Sequence, residues 1–425
     1  MSARSDDDAR LDAWIDANFD QEVRFLQALV RVPTDTPPGD NAPHAEATAA
    51  LLEGFGFAVE RHPVPDDLVR AHGLASITNL VVRRRYGDGL TIALNAHGDV
   101  VPPGEGWHRD PYGGEVDGGR IYGRAAAVSK SDFATYTFAL RALDALASDP
   151  ALESLGARLA GGVELHFTYD EEFGGELGPG RLLAQGVVKP DLLIAAGFSY
   201  QVVTAHNGCL QLEVTVHGKM AHAAIPASGV DALQGAVEIL NALYAQNDLY
   251  RGVTSQVAGI THPYLNVGTI AGGTNTNVVP GKVLLRLDRR MIPEEDPTTV
   301  EATLREVIAA AAARRPGIGV DVRRLLLARA LRPLNDNAAL VAALQRHGEA
   351  VFGVPIPESG TPLYTDVRLY GGAGVPAAIY GAGPRTVLES NAKRADEHLE
   401  LDDLRKATKV VARTLRELLG GARPA

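Results

Sequence analysis

Cysteine is almost missing from this chain: Cys209 stands alone among 425 residues. A lone thiol closes no internal disulfide, which excludes a stapled secreted scaffold and fits a reducing compartment. Aromatic residues are scarce, at 6%. No apolar run approaches the ~20 residues that a membrane-spanning helix needs. The segment MSARSDDDAR has acid where a secretory signal requires a basic start and an apolar stretch, so a cytoplasmic location is expected. Basic residues are outnumbered, 41 Lys and Arg against 52 Asp and Glu, for a formal net charge of −11. That balance argues against nucleic acid or an anionic membrane as a partner, because phosphate binding needs clustered Lys and Arg. What the chain does have is an ordinary apolar share of 45%, enough to exclude disorder. Its length suggests two or three domains at ~100–200 residues each.

Hydrophobic spacing divides the chain. Residues 10–31 repeat apolar side chains at helical intervals, behind an acidic tail read as a solvated end, and 45–55 and 133–147 read as further helices. Residues 57–64, 77–84, 90–95, 162–168 and 192–196 read as strands. The turn Tyr86-Gly87-Asp88-Gly89 suggests that 77–84 and 90–95 pair as a hairpin. Strands alternating with helices predict a layered α/β sheet. From Gly208 the pattern changes. Strands at 210–217, 264–270, 282–290 and 319–327, with helices at 231–245 and 298–312, make a β-α-β-β-α-β unit of ferredoxin-like type. Helices at 337–352 and 402–419 then flank a strand at 377–380. The expected plan is an α/β catalytic domain, residues 1–206 and 329–425, interrupted by an inserted α+β domain at 207–328.

The informative stretch is residues 94–130, LNAHGDVVPPGEGWHRDPYGGEVDGGRIYGRAAAVSK. His97 ends a strand, at the edge where open α/β sheets carry their sites. Asp99 stands two residues on, placed to orient the imidazole as a carboxylate beside a ligating His does. The longer string is far more specific. Val100-Val101-Pro102, Trp107, Asp110-Pro111, Asp117-Gly118 and Tyr122-Gly123-Arg124 resemble the signature of the co-catalytic zinc peptidases, the family of acetylornithine deacetylase, succinyl-diaminopimelate desuccinylase, aminoacylase and carboxypeptidase G. Glu171-Glu172, Gly218-x-x-Ala221-His222-x-x-x-Pro226, Asn277-Val278-Val279-Pro280, Asp288-x-Arg290 and Tyr380-Gly381-Ala382-Gly383 follow in the family's order.

The resemblance implies a two-zinc hydrolase of carboxylate-bearing amides. It implies a lid domain that pairs two subunits, Glu171 as general base, and His97 and Glu172 as metal ligands. It also implies that His222 reaches across the dimer to the oxyanion, with Asn277 and Arg290 on the substrate carboxylate. The Gly381 turn is a further place for backbone to approach a ligand. The same alignment exposes departures. The bridging Asp position is Val128, the next carboxylate position falls at Gly197, and the late His position at Lys393. A zinc needs about three protein ligands plus water. Two Zn²⁺ ions ~3.5 Å apart repel by roughly 19 kcal/mol at an effective dielectric near 20, and valine offers that repulsion nothing. The expectation is no dinuclear centre and at most one weakly held divalent metal, unless displaced residues such as Asp132 or His398 rebuild a site.

Three readings follow. The first is a hydrolase cleaving an amide-like C–N bond beside a carboxylate, with Glu171, Lys393 and His222 as its catalytic groups. The second is a metal-free isomerase, racemase or lyase using Glu171 and Lys393 as an acid–base pair, which requires a lysine of lowered pKa for the base role. The third is a binding protein on an enzyme fold. Lys130, beside Ser129, reads as structural. A homodimer is the only protein partner implied.

Overall fold

The computed structural model describes residues 3–148 and 159–420. The described residues form two compact units. One comprises the chain up to Thr204, Pro333–Glu358 and the chain from Leu369; the other comprises Ala205–Arg332 and Ser359–Arg368. Residues 359–368, assigned above to the first domain, therefore belong with the insertion. The Asn207 amide donates to the Thr361 carbonyl at 3.1 Å, and the Gly360 amide to that of Ala258 at 2.6 Å.

The first unit is built on a mixed sheet. From one edge its strands run Val59–Pro63, Thr78–Arg85, Gly162–Thr168, Thr91–His97, Leu192–Ala195 and Ala377–Ile379, then Val202–His206 and Glu358–Thr361, where the chain leaves for and returns from the insertion. The four strands from Gly162–Thr168 to Ala377–Ile379 are parallel. Gly162–Thr168 is buried at every position, as a strand covered on both faces must be. The hairpin expected around Tyr86–Gly89 is absent: Gly162–Thr168 lies between Thr78–Arg85 and Thr91–His97, antiparallel to the first and parallel to the second. The turn instead packs its backbone on the incoming strand. The Gly162 amide donates to the Leu90 carbonyl at 2.8 Å, and a side chain at Gly89 would collide with Gly161.

Helix Lys130–Ala147 is buried along most of its length, against the sheet on one side and against Ala3–Val30 and Leu401–Leu419 on the other. The acidic start of the chain is not a solvated tail. It is helical from Ala3, and an acid–base ladder joins it to the last helix. Asp8 meets Arg416 at 2.6 Å, Asp12 meets Arg413 at 2.5 Å and Asp16 meets Lys409 at 2.7 Å. Among the described residues, no helix is long and apolar enough to cross a membrane.

The inserted unit is a four-stranded antiparallel sheet in the order Tyr264–Gly272, Lys282–Met291, Gly208–His217, Gly319–Ala328, with helices Ala232–Tyr250 and Pro297–Ala312 packed on it. This is the ferredoxin-like arrangement. Each helix starts at an aspartate whose carboxylate accepts backbone amides, Asp231 from Leu233 and Gln234, and Asp296 from Thr299.

Between the first and last helices, fully buried Glu22 receives the Thr408 hydroxyl at 2.6 Å. Burial pushes its carboxyl up from 4.5 to about 8, against the Thr408 hydrogen bond and the Arg141 charge. Folding therefore takes up a proton between those values, and stability is lost as pH rises through them. Glu22→Gln keeps the shape without the charge. Its thermal midpoint, relative to the parent, is expected to climb from the acid to the alkaline end of that interval; a constant difference would contradict the assignment.

Candidate active site

Strand register gathers the site. His97 pairs Thr168 across the parallel strands, so the segments leaving both strands emerge at one sheet edge. Asn95 pairs Ala195, and Ala195 pairs Ile379, which brings Gly197 and Gly381 to the same edge. Thr168 is followed within a few residues by the short 3₁₀ turn Glu171–Phe173, whose first two amides donate to the buried Asp99 carboxylate at 3.2 and 3.0 Å. Asp99 thus has a job beyond orienting the imidazole: it fixes the Glu171-Glu172 backbone.

The His97 ring makes a hydrogen bond from Nδ1 to the Asp99 carbonyl at 3.0 Å. Its Nδ1 lies 3.4 Å from the Asp99 carboxylate, and its Nε2 lies 3.9 Å from Glu171. Burial works against the imidazolium, but the Glu171 charge, the Asp99 hydrogen bond and the charges of Asp99 and Glu172 outweigh it and raise the ring to about 10. Glu171 is pushed up to about 7, chiefly by burial; His97 and Lys393 pull it down while Glu172 and Asp99 push it up. A carboxylate titrating near neutrality suits a general base. Lys393 places Nζ 2.7 Å from Glu172, its side chain 55% exposed. Burial disfavours its charge, yet the Glu172 and Glu171 charges prevail and hold it above the ordinary lysine range. The lowered pKa needed by an amine base or an imine-forming lysine is not what this environment produces.

At three positions where the resemblance places metal ligands, the side chains are not metal donors. At the bridging position Val128 presents only carbon. At Gly197 a side chain would collide with Ile379, so packing as well as sequence excludes a carboxylate there. At Lys393 an ammonium group lies against Glu172. Neither displaced candidate fills the gap. Asp132, at the start of helix Lys130–Ala147, is buried and accepts the Ala382 amide at 2.7 Å. His398 directs Nδ1 to the Asp396 carbonyl at 2.9 Å and its ring to Tyr122. Among the described residues, no group of three or more His, Cys, Asp and Glu is arranged to hold a metal. A side chain added at Gly381 would run into the Asp132 carboxylate.

Sequence reasoning missed the hub behind the site. Arg124 and Glu397, both buried, form an ion pair at 2.5 Å. The same carboxylate accepts the Ala127 and Lys393 amides at 3.2 and 3.3 Å, and Arg124 also donates to the Pro103 carbonyl at 2.8 Å. Arg124 lay inside a quoted motif, where a charge followed by Ala125-Ala126-Ala127 was the available signal for a buried ion pair, whereas Glu397 stands among other charged residues and gave none. Lys130 is buried and donates to the Leu29 and Val32 carbonyls at 3.2 and 2.8 Å.

In the inserted unit, exposed His222 and Asn277 are neighbours. His222 pairs Val278 in a two-stranded ribbon, and the Ala223 amide donates to the Asn277 carbonyl at 2.9 Å. The ribbon joins the sheet at its His217–Lys282 end, whereas Arg290 pairs Cys209 at the other end. Eight residues of strand at ~3.4 Å each separate those ends by about 27 Å. Within one chain, Arg290 and the ribbon that carries Asn277 therefore lie toward opposite ends of this sheet. Arg290 is aimed by Asp288, which accepts its Nε at 2.7 Å and the Gln211 amide at 3.0 Å.

Comparisons with known proteins agree with this architecture. The profile of peptidase family M20/M25/M40 matches residues 93–417, more than half of the chain. A succinyl-diaminopimelate desuccinylase from Methylobacterium sp. (strain 4-46) is 30% identical over 315 residues, 71% of this chain and 74% of its own. An acetylornithine deacetylase from Myxococcus xanthus is 28% identical over 395 residues, 90% of this chain and 93% of its own. A dipeptidase from Saccharomyces cerevisiae shares the fold with a TM-score of 0.77 at 13% identity, over 99% of this chain and 100% of its own.

The packing of Gly381 gives a direct check. Gly381→Ala drives a methyl into the Asp132 carboxylate and is expected to lower the unfolding free energy by about 1–3 kcal/mol in urea titration. Gly372→Ala, where nothing lies in the way, serves as the control. Equal stability of the two variants would refute the contact.

Proposed function

The chain belongs to peptidase family M20/M25/M40, and from that premise we propose that it hydrolyses an amide-like C–N bond of a small carboxylate-bearing substrate, an N-acyl amino acid or peptide-like molecule, without the family's dinuclear zinc. One observation carries this reading: the Lys393 ammonium 2.7 Å from Glu172, at the position where the resemblance expects a metal-binding histidine. The named relatives, a desuccinylase and a deacetylase, both have names that denote removal of an acyl group.

In the proposed reaction Glu171 takes a proton from water while the water oxygen bonds to the amide carbon. The resulting oxyanion is stabilised by Lys393 and by His222 of the partner subunit. Collapse breaks the C–N bond, and Glu171 returns its proton to the departing amine. Arg290 and Asn277 anchor the carboxylate from two subunits rather than one. The isomerase reading with Lys393 as the base is less well supported, because the Glu172 and Glu171 charges favour its ammonium form.

A homodimer is part of the proposal. On helix Ala232–Tyr250 the exposed apolar residues Leu233, Val237 and Tyr244 recur at helical spacing, and Ile270 is exposed on the neighbouring edge strand. Such a stripe beside an unpaired edge suits a second copy of the same surface.

Two measurements test the function. Purified protein is expected to carry substoichiometric zinc and to turn over N-acetyl or N-succinyl amino acids or dipeptides equally well before and after chelation. Loss of turnover restored by zinc would defeat the metal-free reading. Glu171→Gln is expected to lower kcat by about 10²–10⁴-fold; undiminished activity on every accepted substrate would remove Glu171 from its role. Sedimentation tests the assembly: Leu233→Arg combined with Val237→Arg should yield monomers, and an unchanged mass would exclude this surface.

A further inference from the structure

Lys393 is carried on an unusual piece of backbone. Three non-glycine residues within six positions adopt the left-handed conformation: Asn391 at φ 52°, Lys393 at 61° and Asp396 at 55°. Side chains rarely accept that conformation, and it persists where surrounding contacts over-determine it. The contacts here are specific. The segment folds on itself through the Ala392 amide to the Val387 carbonyl at 3.1 Å and the Arg394 amide to the Asn391 carbonyl at 2.8 Å. The Asp396 carbonyl receives the His398 ring at 2.9 Å and the Asn391 side-chain amide at 3.5 Å.

The Asp396 carboxylate reaches outward, to a separate loop. It accepts the His108 amide at 2.9 Å, the Arg109 amide at 3.3 Å and the His108 Nδ1 at 2.7 Å. Its neighbour Glu397 accepts the Lys393 amide. Asp396 therefore anchors the far end of the strained segment to residues almost three hundred positions away, while Lys393 projects from its middle onto Glu172. The lysine stem is long and half-exposed, so its ammonium stays at Glu172 only if the backbone fixes the direction in which the side chain leaves.

We infer that Asp396 is a positioning residue: by clamping its loop to the His108 and Arg109 amides it holds the Lys393 ammonium on Glu172. The inference rests on the proposed role of Lys393, and the tests keep the two apart. Limiting acetic anhydride, with peptide mass mapping, reads how firmly each lysine amine is held. In Asp396→Ala, Lys393 is expected to be acetylated several-fold faster than in the parent, with Lys219 and Lys282 unchanged as internal references. On the best substrate of the N-acyl panel, kcat falls and KM changes little. Asp396→Asn retains an oxygen for the two amides and is expected to restore most of both. If Asp396→Ala does not fold, His108→Ala removes the imidazole leg of the clamp and should give the same changes at smaller size. Unchanged Lys393 acetylation in a folded variant overturns the inference. Normal turnover by Lys393→Met would instead overturn the role of the lysine, whatever the labelling reports.

Discussion

A guanidinium and a carboxylate with almost no access to water hold the site together. Arg124 and Glu397 lie 273 residues apart in sequence and meet at 2.5 Å, both essentially buried. Burial raises the Glu397 carboxyl, opposed first by the Arg124 charge and then by the Ala127 amide. Such a pair contributes little to net stability compared with an apolar replacement, but removing one partner strands a buried charge. Its effect is therefore chiefly geometric. It requires the loop after Tyr122 and the loop after Asn391 to be built against each other, and it draws in Pro103 through the second arm of the guanidinium.

That geometry determines what charges face one another at the sheet edge. Asp99, Glu171 and Glu172 bring carboxylates; His97 and Lys393 bring cations. In a zinc enzyme the positive charge arrives with the metals and lowers the pKa of bound water. On the function proposed above, cations that are covalent parts of the chain stand where the metals would, and neither binds water as a Lewis acid. A hydrolysis at such a site depends more heavily on the base and on the electrostatics around the oxyanion.

Much of this was legible beforehand. Alternating strands and helices located the α/β layer and the ferredoxin-like insertion, because periodicity reports burial directly. The pairing that sets His97 opposite Thr168 was not legible, because it depends on Gly162–Thr168 entering between the two strands read as a hairpin. The hairpin failed because Gly87 and Gly89 satisfy both a two-residue turn and a close pass of another strand, and local chemistry does not distinguish them. The acidic start failed for a similar reason: its partners, Arg416, Arg413 and Lys409, lie at the other end of the chain. Lys393 was found by a motif position, but its tie to Glu172 and the left-handed backbone that aims it are tertiary facts.

The ladder between the first and last helices also has a temporal meaning. Asp16 and Lys409 are separated by 393 residues. At ~5–20 residues per second of synthesis, the aspartates wait roughly 20–80 s after leaving the ribosome before their cations emerge. Helix Lys130–Ala147 is made early in that interval and can cover part of the first helix, but the side that meets Leu401–Leu419 has no final partner until the end. A row of carboxylates keeps that side of the helix hydrated through the delay.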